Sequence, residues 1–199
     1  MAGWVTFDCY GTLVDWNAGL RGALGSDELL ERYHEVEPQV QAEDPSLPYR
    51  EVMRETARRL GVDADPAESL PRWPVFPEVP DALEEARERD WRLAILSNTD
   101  RDLLDASLDA IGVPFDLSIV ASEIGSYKPA ERHWRAFEAT VGRLPDVHVA
   151  QSLFHDIATA NALDIPNVWI NRLGEQAGET TPTVERPDLT GLADVLDRL

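Results

Sequence analysis

Asp8 closes a short run, Trp4 to Phe7, whose residues are apolar or β-branched, and Gly11 follows three residues later. The run reads as a buried strand. An acid at the carboxyl end of such a strand, beside a glycine turn, sits where open α/β sheets place their ligands. The alternative is that Asp8 merely caps the turn. Three more polar sets stand at the ends of strand-like runs or at the starts of the helices after them: Ser97-Asn98, Lys128, and Gln151 with Asp156. In a parallel sheet they converge at one edge with Asp8, two carboxylates and one ammonium among hydroxyls and amides. Lys128 is the single lysine against 17 arginines. A compact ammonium differs from a flat guanidinium, so one lysine in an arginine-rich chain suggests a site that arginine does not serve.

These residues need a sheet to position them. After the first strand, residues 17–72 read as helical. Asp27 to Val36 and Tyr49 to Leu60 have apolar residues at helical spacing, Gly61 stops the second helix, and residues 43–48 form a loop between them. Pro71, Pro74, Pro77 and Pro80 recur every third residue, which predicts an extended, stiff connector and a hinge. Then come a helix from Asp81 to Asp90, a strand from Arg92 to Leu96, a helix from Asp100 to Ile111 stopped by Gly112, and a strand from Leu117 to Ala121. Tyr127-Lys128-Pro129 opens a helix to Val141, with Pro129 suited to its first position. A strand from Val147 to Ala150, a helix from Asp156 to Leu163, a strand from Asn167 to Asn171, a loop from Gly174 to Pro187 and a helix within Leu189 to Leu199 complete the chain. Strands alternating with helices predict an α/β fold, a doubly wound parallel sheet with helices on both faces. The expected division is a core of residues 1–16 and 73–199 and a small helical insert of residues 17–72.

Length and charge bound the function. The 199 residues suffice for one domain, or for a core with a small insert. The net charge of −19 argues against nucleic acid as a partner, because phosphate contacts need a basic face. No apolar run approaches the ~20 residues of a membrane span, and no charged-then-apolar leader precedes the first strand. The lone Cys9 excludes an internal disulfide and fits a reducing compartment, so a cytoplasmic location is the default expectation. Homodimerisation is left open.

The four polar sets, in their order, resemble the motifs of the haloacid dehalogenase superfamily. Asp8-Cys9-Tyr10-Gly11-Thr12 is similar to its first motif, Leu96-Ser97-Asn98 to its second, Tyr127-Lys128-Pro129 to its third, and Ser152 to Asp156 to part of its fourth. The resemblance covers nearly the whole chain. It implies a Rossmann-like core, with the helical insert in the place of a C1-type cap. Within the superfamily, phosphatases carry a second Asp two residues after the nucleophile to protonate the leaving alcohol. Here that position is Tyr10, whose phenol, with a pKa near ~10, is a weaker acid. A halide needs no proton to leave. The phosphatases also bind Mg²⁺ through the nucleophile and an early fourth-motif Asp, and that position is the neutral Gln151. Tyr10 and Gln151 therefore fit the (S)-2-haloacid dehalogenases, which require no metal; if Mg²⁺ binds, Asp8 and Asp156 would hold it.

The resemblance further implies a small anionic substrate and a covalent mechanism. Asp8 attacks the halogen-bearing carbon and water then cleaves the resulting ester. Lys128 keeps Asp8 ionised, an attraction of about 4 kcal/mol at ~4 Å and an effective dielectric of ~20 before desolvation. Asp156 orients Lys128 and helps to activate the water. Thr12, Ser97 and Asn98 hold the substrate carboxylate or Asp8 itself, with the Cys9 and Tyr10 N–H groups. Arg32 is the nearest candidate for the cap arginine that meets halide. Trp134 stands where a Tyr is usual, six residues after the lysine, and Trp16, Phe154 and His155 are further pocket candidates. Gln151 and Leu153 replace the usual Ser and Asn of the fourth motif. Blander roles stand beside these: Ser97-Asn98 and Asp156 as helix caps, Lys128 as a surface residue, His155 as a turn residue, Asp15 as a solvated helix-start acid, and the aromatics as packing. Two other functions stay open, a Mg²⁺-dependent phosphatase and a fold-retaining binding protein without turnover.

Overall fold

The computed structural model describes residues 3–199. Six strands form one parallel sheet: β1 (Trp4–Phe7), β2 (Arg92–Ser97), β3 (Leu117–Val120), β4 (Val147–Ala150), β5 (Asn167–Ile170) and β6 (Val184–Arg186), in the order β3-β2-β1-β4-β5-β6. The direction of winding reverses between β1 and β4, and the crevice at the carboxyl ends of those two strands is where such sheets bind ligands. Alternate residues feed two hydrophobic clusters. Val5, Phe7, Leu93 and Ile95 belong to one, and Trp4, Ala94 and Leu96 to the other. Both faces of the sheet are therefore buried, and its strands read as continuous apolar runs rather than alternating ones.

Between β1 and β2 lie α1 (Trp16–Leu24), α2 (Asp27–Glu43), α3 (Tyr49–Arg59), α4 (Pro66–Ser69), a 3₁₀ turn (Leu70–Arg72) and α5 (Val79–Glu88). The helix α2 runs past Val36, where the sequence suggested an end, and continues through Pro38 to Glu43. Burial of Glu37, Val40 and Gln41 on its inner face holds the extra turns against the lost hydrogen bond at proline. The proline-rich connector is also shorter than expected. Pro71 lies in the 3₁₀ turn and Pro80 in the first turn of α5, which leaves residues 73–78 irregular. Those residues pair with the segment between β1 and α1: Asp15 N–H donates to Pro74 O at 2.7 Å, and Phe76 N–H to Leu13 O at 3.0 Å.

The remaining helices are α6 (Arg101–Ile111), α7 (Ala121–Ile124), α8 (Arg132–Val141), α9 (Ala158–Ala162) and α10 (Leu192–Leu196). Pro129 does not open α8. The Lys128-Pro129 peptide is cis and the helix begins three residues later, at Arg132. The helix expected from Asp156 starts instead as a π turn, Leu153–Ile157, capped by the Ser152 hydroxyl, which accepts the His155 N–H at 3.0 Å. β6 falls in the stretch whose sequence predicts a loop, because three residues flanked by polar sequence carry too little pattern.

Asp100, at the start of α6, ties the core to the insert. Its two carboxylate oxygens accept the Tyr49 and Arg50 N–H groups at 2.9 Å each. They cap α3, whose own N-cap residue, Pro48, makes no side-chain bond. Asp100→Ala should lower unfolding stability by about 1–2 kcal/mol, a fall in melting temperature of roughly 2–8 °C measurable by calorimetry.

Candidate active site

Strand ends and the turns after them bring four of the expected residues into direct contact. Lys128, 2% exposed, gives all three protons to acceptors: Asp8 Oδ1 at 2.8 Å, Asp156 Oδ1 at 2.7 Å and the carbonyl of Leu96 at 2.8 Å. Thr12 Oγ1 donates to Asp8 Oδ2 at 2.8 Å and accepts the Gln151 N–H at 3.0 Å. The turn that returns Thr12 to Asp8 requires Gly11, whose φ of +89° lies in the left-handed region.

Two carboxylates thus share one ammonium in a buried place. Burial works against the charge of Lys128, but Asp156 and then Asp8 outweigh it and hold the ammonium above its ordinary value. Burial likewise raises Asp156, yet Lys128 and His148 more than reverse that and hold it well below the carboxylate range. Asp8 keeps a net rise, from burial and the charge of Asp156, which Lys128 offsets only in part. The asymmetry has a visible origin. Asp156 Oδ1 accepts a second bond from His148 Nε2 at 3.0 Å, and His148 Nδ1 lies 2.8 Å from Thr6 Oγ1. A proton on Nε2, with the Thr6 hydroxyl donating to Nδ1, satisfies both ring nitrogens, while Asp156 Oδ2 stays buried without a partner among the described residues.

Around this centre lies a cavity of about 700 Å³. Asp8, Tyr10, Ser97, Asn98, Lys128, His155 and Asp156 line it. Ser97 Oγ is buried and has no partner among the described residues, so it is free to meet a ligand. Asn98 is differently employed than expected. Its Oδ1 accepts the Lys128 N–H at 2.6 Å and its Nδ2 donates to Lys128 O at 3.0 Å, so the side chain clamps the backbone of the lysine. The Tyr10 hydroxyl points away into α6, 3.0 Å from Ser107 Oγ and 3.3 Å from the Leu103 carbonyl. Burial raises this phenol above its ordinary value. It cannot serve as a proton donor over Asp8, although its ring still walls the site. His155 faces the cavity with Nδ1 at 3.2 Å from Ser152 Oγ, and burial lowers its pKa, which keeps the imidazole neutral near pH 7.

Two expectations fail. Arg32 lies on the exposed outer face of α2, away from the cavity; the inner face belongs to Tyr33 and Glu37, four residues apart. The arginine that lines the cavity from the cap is Arg21, paired with Asp27. Trp134 is fully buried behind the site, edge-on to His148 with centroids 5.3 Å apart, so it packs rather than touches substrate. Asp15 caps α1 through the Ala18 N–H at 2.9 Å, while Trp16 and the 64% exposed Phe154 edge the cavity.

Arg172 was missed. It follows β5 by two residues, so the strand-end rule that picked out the other residues applies to it too. Its Nη2 donates to Thr12 O at 2.9 Å and to Glu78 Oε1 at 2.6 Å, and its guanidinium lies 3.6 Å over the Phe76 ring. One side chain thereby grips both chain segments that join residues 17–72 to the sheet and faces the cavity. His148 was also missed; a buried histidine inside an apolar strand was its only signal. So was Glu37, a cavity-lining acid on α2, 8% exposed. Burial pushes Glu37 up from 4.5 to about 7, against the pull of the Tyr49 and Tyr33 hydroxyls. A value raised on folding gives stability that is complete below about 4.5 and lost as pH rises through about 7. Between pH 5 and pH 8, Glu37→Gln should therefore gain roughly 2–3 kcal/mol relative to the parent protein, seen as a widening gap in melting temperature.

The donor set does not suit Mg²⁺. Asp8 and Asp156 each give an oxygen to the same ammonium, and Gln151, in the third position, turns its amide toward Glu175 at 3.3 Å. A hard dication that prefers several carboxylate oxygens finds Asp8 spent on Lys128 and Thr12, and only Asp156 Oδ2 of the two acids unpartnered among the described residues.

The haloacid dehalogenase-like hydrolase family, by its sequence model, matches residues 3–154. The chain is 31% identical over 160 residues to the (S)-2-haloacid dehalogenase of Pseudomonas sp. (strain YL), a match covering 74% of this chain and 68% of that protein. It is 30% identical over 156 residues to a phosphoserine phosphatase of Thermus thermophilus, over 71% of this chain and 63% of that one. In fold it superposes on the L-2-haloacid dehalogenase of Xanthobacter autotrophicus with chloropropionic acid covalently bound, at a TM-score of 0.83, 21% identity and 99% coverage of each chain.

Proposed function

The chain belongs to the haloacid dehalogenase-like hydrolases, and we propose that within that family it displaces halide from a small 2-haloacid through an ester on Asp8, without a metal. The observation that carries this reading is Tyr10. The side chain two residues after Asp8 spends its hydroxyl on α6 and has a raised pKa, so no acid stands there to protonate a leaving alcohol. A leaving halide needs none.

An Asp8 carboxylate oxygen attacks the halogen-bearing carbon. The C–O bond forms as the carbon–halogen bond breaks, and halide departs with the electron pair. Lys128 keeps Asp8 ionised despite its burial, and the Thr12 hydroxyl fixes the direction of the carboxylate. Ser97 Oγ, buried and unpartnered, receives the substrate carboxylate. Water then attacks the ester carbonyl, which frees a 2-hydroxyacid and restores Asp8. Asp156, held low by Lys128 and His148, is a poor base and acts by orienting Lys128. His155, neutral and facing the cavity, is the better acceptor of the proton of the water.

The phosphatase reading draws on the 30% identical phosphoserine phosphatase. The two part in one assay. Halide release from L-2-chloropropionate should persist in EDTA; no release at high enzyme concentration, with Mg²⁺-dependent phosphate release from simple esters, would reverse the assignment.

A further inference from the structure

Glu37 has no part in the chemistry at Asp8, yet it lines the same cavity from α2, a helix of the insert. Its Oε1 accepts the Tyr49 hydroxyl at 2.8 Å, and the Tyr49 oxygen accepts the Trp16 Nε1–H at 3.2 Å. The groups that act on it are burial and the hydroxyls of Tyr49 and Tyr33, with no cation among them. The contrast within the cavity is direct. Asp8 and Asp156 have Lys128, whereas Glu37 is as deeply buried as Asp8 and has no opposing charge among the described residues. A buried carboxylate is costly unless paired. In a cavity wall, a ligand can supply the missing cation.

Two further observations agree. The chain carries a net charge of −19, which opposes the approach of a purely anionic ligand and does not oppose one whose carboxylate is balanced by an ammonium. The cavity, about 700 Å³, lies in the range of sites for drug-sized ligands, about 300–1,000 Å³, and exceeds the needs of a three-carbon acid. Gln41, together with Asn17 and His34, which are 3.1 Å apart, makes the same wall polar.

We propose that Glu37 receives an ammonium group at the far end of the substrate, so that the preferred substrate is a 2-haloacid bearing a terminal primary amine. The halogen half of this statement rests on the dehalogenation reading; the ammonium half does not. The substrate then spans the cavity, its halogenated end at Asp8 and its amine against α2.

The test uses a matched series on the intact protein at pH 8: 2-bromo-6-aminohexanoate, 2-bromo-6-hydroxyhexanoate and 2-bromohexanoate, with the homologues one and two carbons shorter. In the parent protein, kcat/KM for the best amine should exceed that of its alkyl counterpart by roughly 10- to 100-fold. In Glu37→Gln, which keeps an acceptor for Tyr49 without a charge, that ratio should fall to about 1. Equal rates for amine and alkyl in the parent protein, or a preference for alkyl or hydroxyl, overturn the proposal. A ratio unchanged in Glu37→Gln also overturns it. Calorimetric titration with 6-aminohexanoate and hexanoate, which carry no halogen, separates the two readings. Stronger binding of the amine that is lost in Glu37→Gln, with no halide released from any bromoacid, leaves the subsite standing and removes the reaction. Halide release without an amine preference in either assay does the reverse.

Discussion

Asp8→Asn should abolish halide release, by about 10⁴-fold or more, while the protein stays at least as stable as before. The first half follows from the proposed ester on Asp8: a neutral amide is no nucleophile toward carbon. The second half follows from charge. Asp8 and Asp156 are both buried against one ammonium, and Asp8 is the member whose pKa folding raises. A group raised on folding withdraws stability as pH climbs through its folded value, so at neutral pH its ionised form is a burden on the fold. Asparagine removes that charge, leaves Lys128 and Asp156 as a neutral pair, and can still accept from Lys128 through its one oxygen while its amide N–H faces Thr12 Oγ1. The same rise sets the acid limb of the reaction: kcat/KM should fall with decreasing pH at a value above the ordinary 3.8 of an aspartate. Halide electrode assays and thermal unfolding of the variant check both halves. Loss of activity with a large loss of stability would mean that Asp8 holds the fold together rather than performing the reaction.

Lys128→Met should cost both activity and stability. Removing the ammonium leaves two buried carboxylates without a counter-charge, and breaking a buried ion pair in this way costs about 3–5 kcal/mol, roughly 6–20 °C in melting temperature. The Leu96 carbonyl loses its partner as well. Lys128→Arg should rescue little. The three acceptors surround a compact ammonium that is 2% exposed, and a planar guanidinium is longer and cannot point three donors at them from one atom. Adding Asp8→Asn to Lys128→Met should return part of the lost stability and none of the activity. If Lys128→Met unfolds as readily as it does in combination with Asp8→Asn, repulsion between the acids is not the source of the loss. Full activity in Lys128→Arg would contradict the geometric argument for a lone lysine.

The sheet and the cluster around Lys128 were legible because both follow from one rule. Short apolar runs alternating with helices make a parallel sheet, and polar residues at the carboxyl ends of its strands meet at the edge. Asp8, Thr12, Lys128 and Asp156 obey that rule and lie in contact. The same rule applied one strand further would have picked out Arg172. The insert was harder to read, because its inner face is set by packing between helices rather than by strand ends. Taking Asp27 to Val36 as the whole of α2 hid the face formed by Tyr33, Glu37, Val40 and Gln41, while Arg32, put forward as the nearest arginine to meet halide, lies on the exposed side of the same helix. Trp134 and Phe137, three residues apart on α8, form a core face, and nothing in the spacing distinguishes a core tryptophan from a pocket one. Pro129 suits a first helical position equally well from sequence, while the structure starts α8 at Arg132. Asn98 shows a subtler limit. Its position at the edge was correct, but both ends of its amide are bound to the backbone of Lys128, which no one-dimensional pattern encodes.

The covalent step is tested most directly by a single turnover in water enriched in ¹⁸O, with enzyme in excess over a 2-haloacid. If Asp8 attacks carbon, the hydroxyl oxygen of the first product comes from the carboxylate. The product is then unlabelled, and one ¹⁸O appears in the peptide that contains Asp8. Label in the product, with none in that peptide, would mean that water attacks the substrate directly and that Asp8 is never esterified.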